Sequence, residues 1–188
     1  MEDIKNIYKN TFNISDGDWD LFSSKLKKFN YKKRNKLVDV GEIENNLSFI
    51  EKGIVRFYIP KPENDITFGF GFEKSFISAY DSFLSRSPSR YVIETMTDST
   101  LWTISYSDLQ EVYEQSDIGN FIGRKTAEDL YLKKSNRELS LLSLTAEERY
   151  LQLFKERPDL FLKIPMKYIA SYIGITPQAL SRIRKRIS

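Results

Sequence analysis

The period of the hydrophobic pattern changes near residue 105, and that change decides which architecture the chain can adopt. Between residues 31 and 106, short runs rich in Val, Ile, Phe, Tyr and Thr fall at 37–40, 47–51, 54–59, 66–72, 90–95 and 101–105. Turn-like clusters at 39–42, 51–53, 60–65, 85–89 and 97–99 punctuate them. Short strands at such spacing predict an antiparallel sandwich or barrel. Residues 1–30 read as two short helices, the second capped by Ser15 with Asp18 three residues on and Trp19, Phe22 and Leu26 on one face.

From Ser105 onward the pattern is helical. Ser105 and Asp108 can cap a short helix carrying Leu109, Val112 and Tyr113. A long proline-free helix is predicted over 117–142. Along it Ile118, Phe121, Lys125, Leu132, Leu139 and Leu142 fall near a seven-residue repeat that Glu128 and Ser135 interrupt. Ala127, Leu130 and Tyr131 form a second stripe. A helix with two apolar sides can serve its own domain with one and a partner subunit with the other. Thr145 and Glu148 form a capping-box signature for a further helix that Pro158 ends or bends, which makes 142–145 the hinge candidate.

The chain has neither cysteine nor histidine. Ordinary zinc, iron–sulfur and haem ligation therefore lack their ligands, as do Ser-His-Asp and Cys-His catalysis. No paired-carboxylate motif stands out, and Gly69-Phe70-Gly71-Phe72 reads as strand rather than phosphate loop. No metal, no cofactor and no enzymatic activity are expected; a carboxylate-bound metal enzyme is the residual enzymatic reading. Hydrophobic residues make up 40% of the chain, enough for a core, yet no apolar run approaches the roughly 18 residues a membrane span needs. Met1-Glu2-Asp3-Ile4-Lys5 lacks a basic start and an apolar stretch, so no signal peptide is expected and the location is read as cytoplasmic.

The net charge of +3 is unevenly spread. Residues 163–188 carry Lys163, Lys167, Arg182, Arg184, Lys185 and Arg186 and no acid, a charge of +6 that leaves −3 on residues 1–162. A basic segment on a slightly acidic body is the footprint of a polyanionic partner, although a solvated basic tail would look the same.

That segment has its own grammar. Met166, Ile169, Ala170 and Ile173 sit at i, i+3, i+4 and i+7, one face of a short helix. Gly174 can take positive φ and turn the chain; Thr176 is a good N-cap, and Pro177 fits the first helical position. The second helix buries Ala179, Leu180, Ile183 and Ile187 and presents Gln178, Ser181, Arg182 and Lys185. Small Ala170 lies four before the glycine and large Leu180 six after it, as two crossing helices require. An ordinary αα-hairpin would not explain an outward face without acids. In a helix-turn-helix, Gln178, Ser181 and Arg182 face the major groove, Arg182 suiting guanine and Gln178 adenine. Thr176 at the helix start and Lys167, Arg184, Lys185 and Arg186 would contact phosphate, with Lys185 also able to reach a base edge.

The β-rich first half, long helix and C-terminal helix-turn-helix together resemble the Crp/Fnr superfamily of bacterial transcription regulators, over roughly residues 15–187. The strongest match is Ile169-Ala170-Ser171-Tyr172-Ile173-Gly174-Ile175-Thr176-Pro177-Gln178-Ala179-Leu180-Ser181-Arg182-Ile183. It looks like the family's recognition motif, in which Ser/Thr opens the second helix and Arg six residues later reads bases; Gln178 matches a position often occupied by Glu. Leu47-Ser48-Phe49-Ile50-Glu51-Lys52-Gly53-Ile54-Val55-Arg56 resembles the family's strand–turn–strand, with Gly53 at the turn. Phe76-Ile77-Ser78-Ala79-Tyr80 falls where cyclic-nucleotide-binding members carry Phe-Ile-Gly-Glu-Leu, the Glu holding the ribose and a following Arg-Ser the phosphate. Ala79 cannot accept a ribose hydrogen bond, and each unpaired polar group costs roughly 1–3 kcal/mol. Cyclic AMP is therefore not the expected effector. The effector pocket, if used by another ligand, is placed at Ser78, Ala79, Tyr80, Arg86 and Arg90, where either arginine could hold an anion or be a solvated loop residue. Ser188 follows directly on the second helix, so no β-hairpin wing is expected.

The resulting expectation is an α+β chain with an N-terminal antiparallel β-roll or jelly-roll, a long dimerisation helix and a C-terminal all-α helix-turn-helix domain. The domains are expected at 1–116, a cyclic-nucleotide-binding-like effector roll; 117–143, the dimer helix; and 144–188, the DNA-binding domain. Expected partners are double-stranded DNA, a second copy of the chain and RNA polymerase, with a small-molecule effector left open and no membrane. The rival is a ligand-sensing or protein-interaction module whose terminal helices dock a protein partner, with binding that ignores Arg182→Ala or is not weakened by salt.

Overall fold

In a computed structural model of the chain, residues 1–187 apart from Asn13 are described, and within the helices all side chains but those of Asp3, Tyr8, Thr11, Phe12, Asp117, Ile118 and Ile122. Helices α1 (Glu2–Phe12) and α2 (Asp16–Ser24) open the chain, and the Ser15 side chain accepts from the Asp18 amide at the start of α2. Eight strands follow: β1 (Lys27–Tyr31), β2 (Lys36–Val38), β3 (Asn46–Lys52), β4 (Val55–Ile59), β5 (Ile66–Gly71), β6 (Phe76–Ile77), β7 (Val92–Thr95) and β8 (Ser99–Ser105), with α3 (Tyr80–Ser85) between β6 and β7. They form two four-stranded sheets in the orders β1-β8-β3-β6 and β2-β7-β4-β5. In the first, β8 runs antiparallel to both β1 and β3, pairing Phe29 with Leu101 and Phe49 with Trp102. Alternation along β3 and β8 turns Leu47, Phe49 and Ile104 to one face of the sheet and Ile50 and Leu101 to the other, and all five are buried.

The sequence placed residues 1–30 wholly in helices, but residues 27–31 form edge strand β1. Four of its five residues are exposed, so it carries no inside–outside alternation and is held by its backbone ladder to β8. The extra helix α3 and the two-residue β6 were also not expected; both lie in a serine-rich stretch whose local signal is turn-like.

Gly53 links β3 to β4 at φ +110°, and a Cβ there would lie 2.9 Å from the Ser99 Cα, so both conformation and space demand glycine. Trp19, Phe22, Phe49, Phe83, Ile104 and Val112 share one buried cluster; Val38, Ile50, Val55, Ile77, Ala79, Ile93 and Leu101 share another.

Beyond the roll come α4 (Tyr106–Gln115), capped by Ser105, and α5 (Asp117–Ser143), 27 residues or about 40 Å of helix. Then follow α6 (Ala146–Glu156), α7 (Leu160–Lys163), α8 (Met166–Ile173) and α9 (Pro177–Ile187). The capping box at Thr145 and Glu148 forms in full. The chain divides into two compact units: residues 1–57 with 70–127, and residues 58–69 with 128–188. Among the described residues no helix is long and apolar enough to cross a membrane, and no group of acidic side chains could hold a metal ion.

Candidate nucleic-acid interface

Helix α8 exists because Ile169, Ala170 and Ile173 bury one face almost completely; burying an isoleucine contributes roughly 1.5–3 kcal/mol. Gly174 ends it in the left-handed region at φ +82°. Its N–H and that of Ile175 return to the carbonyls of Ala170 and Ser171, which closes the helix in a Schellman-type cap. Thr176 then opens α9, its hydroxyl accepting from the Ala179 amide at 3.2 Å, and Pro177 takes the first helical position, where a missing N–H costs nothing. Leu180 is 1% exposed and seats α9 against α8, with Ala179 and Ile183 half-buried. Ile187 was expected in this seam but is 39% exposed: α9 is three residues longer than α8, and Ile187 is its last residue.

The opposite face of α9 carries Gln178, Ser181 and Arg182, all exposed, with Arg184, Lys185 and Arg186 completing an acid-free helix; Lys167 and Thr176 are exposed at the starts of the two helices. An open cleft of about 550 Å³ lies along it, lined by Met166, Pro177, Leu180, Ser181, Arg184 and Lys185. Every residue expected to contact bases or phosphates thus lies on α8, α9 or the turn between them. The Arg186 guanidinium pairs with Glu147 at the start of α6, and the Lys167 ammonium lies 5.0 Å over the Tyr168 ring.

Two arginines that sequence reading missed hold this unit together. Arg149 on α6 donates from Nε to the Ile173 carbonyl at 2.8 Å and from a terminal nitrogen to the Leu144 carbonyl. Arg137 on α5 donates to the Tyr172 carbonyl and stacks its guanidinium 4.2 Å from the Tyr172 ring. Both satisfy carbonyls at the end of α8, where a helix has no N–H donors of its own left to offer. On the other side of α8, the Ser171 hydroxyl accepts from the Thr67 amide at 2.9 Å and donates to the Asp65 carbonyl at 3.1 Å. No local sequence pattern announces any of these, because each partner is a backbone atom remote in the chain.

On α5, Leu132 and Leu139 are each 57% exposed and Leu142 79%, while Phe121 and Lys125 are half-buried; the Ile118 side chain lies outside the described residues. Tyr131 of the second stripe is exposed as well.

Three of the expected effector residues, Ser78, Ala79 and Arg86, lie at a buried carboxylate and its neighbours that sequence reading also missed. Glu44 is 5% exposed, and its two oxygens accept from the amides of Asn46 at 2.9 Å and Ala79 at 3.3 Å. Burial pushes its carboxyl above the ordinary value, against the opposing pull of these amides and of the Arg86 charge. Arg86 points inward: it donates to the Glu44 carbonyl at 2.8 Å, the Phe83 carbonyl at 3.3 Å and the Asn45 side chain, and stacks 4.1 Å above Tyr106. Ser78 donates to the Asn46 carbonyl, and Tyr80 stacks on Phe83. Arg90 stands apart, 89% exposed and 3.9 Å from Asp81. The adjoining cavity, lined by Tyr31, Leu37, Glu44, Asn46, Ser48, Ile77, Ser78, Ile93 and Thr103, holds about 30 Å³, which is room for one or two waters.

No protein-family model matches the chain, and no curated protein matches it. Solved structures do. FixK2 from Bradyrhizobium japonicum superposes with a TM-score of 0.73 at 19% identity, covering 86% of this chain and 84% of that one. A putative transcriptional regulator of the Crp/Fnr family from Eubacterium rectale gives 0.72 at 18%, covering 93% and 84%. The c-di-GMP-responsive global regulator CLP from Xanthomonas campestris gives 0.67 at 16%, covering 92% and 91%. The fold is therefore Crp/Fnr-like: a cyclic-nucleotide-binding-like β-roll, a long helix and a C-terminal helix-turn-helix.

Proposed function

We propose that this chain is a sequence-specific DNA-binding transcription regulator of Crp/Fnr type, acting as a cytoplasmic homodimer on a near-palindromic operator and not governed by cyclic AMP. The observation that carries the reading is the outward face of α9. Gln178, Ser181 and Arg182 stand exposed on a helix without acids, and the helix is rigidly seated through Leu180 and the Gly174 turn. Arg182 donates a bidentate pair to guanine, Gln178 pairs with adenine, and Ser181 contacts either; Lys167, Thr176, Arg184, Lys185 and Arg186 neutralise or hydrogen-bond phosphates.

The exposed row Leu132, Leu139 and Leu142 supports pairing of α5 with its copy, extended toward Phe121, Lys125 and Ile118. Pairing would set two recognition helices about 34 Å apart, one per half-site. In this reading residues 1–116 form the effector roll, 117–143 the dimer helix and 144–188 the DNA-binding domain, with RNA polymerase as the downstream partner. Any effector would engage the roll around Ser78, Ala79, Tyr80, Arg86 and Arg90.

The test is selection from random duplex DNA by the full-length protein, with Arg182→Ala in parallel. A two-half-site palindrome that the variant no longer enriches is the expected result. Binding that ignores both Arg182→Ala and salt would instead assign the terminal helices to a protein partner.

A further inference from the structure

The polar cluster around Glu44 joins two segments far apart in the chain. On one side lie residues 44–46, between β2 and β3; on the other, residues 78–87. Glu44 engages both with every polar group it has. Its N–H donates to the Ser82 hydroxyl at 3.0 Å, and that hydroxyl donates on to the Ser87 carbonyl. Its carbonyl accepts from Arg86, and its carboxylate takes the Asn46 and Ala79 amides. Ala79 is fully buried, and its N–H takes the Glu44 carboxylate as its acceptor.

A pair of converging backbone amides with a guanidinium nearby is what a small anion needs. We infer that residues 44–46, 78–79 and 86 form a carboxylate-binding cradle inside the roll that the chain fills with its own Glu44 side chain, so that the roll is held closed by an internal ligand rather than by a dissociable anionic effector. The inference deepens the reading of the roll as the ligand-sensing part of a regulator. The cavity beside Glu44 agrees with it: at about 30 Å³ it admits water but no nucleotide. Arg86 is likewise spent, since two carbonyls, an amide oxygen and an aromatic face already occupy its guanidinium.

Removing the internal ligand should convert the cradle into an external site for a small carboxylate. Full-length Glu44→Ala is compared with the parent protein by thermal unfolding in sodium formate and in sodium chloride of equal ionic strength. The variant should melt roughly 5 °C lower, and formate at about 100 mM should recover several degrees that chloride does not, with no such difference for the parent protein. Equal responses of the two proteins to formate would overturn the inference. A second arm needs no variant and covers a Glu44→Ala chain that does not fold: cyclic AMP and c-di-GMP, added to the parent protein, should leave its melting temperature unchanged. A saturable upward shift with either would overturn the inference. Neither arm uses DNA, so failure here is distinct from failure of the operator-binding proposal.

Discussion

Arg149 on α6 reaches across to donate its Nε hydrogen to the carbonyl of Ile173, the last residue of α8, at 2.8 Å. The same side chain holds the Leu144 carbonyl just after α5, so one guanidinium ties the end of α5, α6 and the first helix of the helix-turn-helix together. Hydrogen bonds from a charged donor contribute about 1.5–3 kcal/mol, and losing the donor strands two carbonyls. Arg149→Ala should therefore lower the stability of this unit by about 2–3 kcal/mol, read as a fall of roughly 4–10 °C in melting temperature. Arg149→Lys should recover little, because an ammonium cannot span both carbonyls with fixed planar geometry. A melting temperature within a degree of the parent protein would show that the bridge is not structural.

Gly174 makes a sharper demand. At φ +82° any side chain is strained, and a Cβ would sit 3.4 Å from Leu141 Cδ2. Gly174→Ala should cost about 1–2 kcal/mol, whereas Gly174→Asn, which tolerates the left-handed region better, should cost less. Chemical denaturation of the two variants checks the order; an alanine variant as stable as the parent would mean that the turn relaxes into another conformation.

What could be read from the sequence divides along the range of the interaction. Caps and turns are local, so Ser15, Ser105, Thr145, Gly174 and Thr176 stand in the structure where their spacing placed them. The recognition face was legible for the same reason: the helix period alone puts Gln178, Ser181 and Arg182 opposite Leu180 and Ile183. Edge strand β1 was not, because Lys27, Lys28, Phe29 and Asn30 all remain exposed and its order comes from β8, some seventy residues away. Glu44, Arg137 and Arg149 were not, because each is defined by backbone partners brought near only by folding. The pocket residues show both effects. The segment 76–80 could be located by its resemblance, but the inward turn of Arg86 toward Glu44 and Tyr106, against the outward turn of Arg90, depends on tertiary packing.

Glu51 gives the roll an acid-sensitive element. Its carboxylate pairs with Lys28 at 2.6 Å and accepts from the Trp102 indole at 2.9 Å, which holds its carboxyl down at about 2. Because the folded value lies below the ordinary 4.5, the pair's stabilisation is present above that value and is lost as pH falls from about 4.5 toward 2. The site is partly open to solvent, so the contribution is screened to about 1 kcal/mol. Glu51→Gln should lower stability at pH 7 by that amount, with the difference from the parent protein closing as the pH approaches 2. A difference that is constant across this range would assign the effect to packing of the side chain rather than to its charge.

The Arg186–Glu147 pair predicts a graded electrostatic effect at the proposed DNA face. Arg186 is one of the basic residues expected to reach phosphate, yet it is pinned to an acid at the start of α6. A phosphate must compete with that acid for the guanidinium, whereas Lys185 lies on the wall of the open cleft beside α9. Glu147→Gln releases Arg186 and removes a negative charge near the helix, so affinity for the selected operator should rise, by about 2–5-fold at low salt, with a steeper dependence on salt. Lys185→Gln should act in the opposite direction, weakening binding to all sequences and reducing the salt slope by about one. Arg182→Ala should differ in kind from both: a loss of about 1–3 kcal/mol confined to one base position in each half-site, since a bidentate contact carries sequence information and a phosphate contact does not. Binding isotherms across a salt series, on the operator and on a singly mismatched copy, separate the three outcomes. Equal loss on both duplexes with Arg182→Ala would move that residue from base reading to the phosphate backbone and shift the specificity onto Gln178 and Ser181.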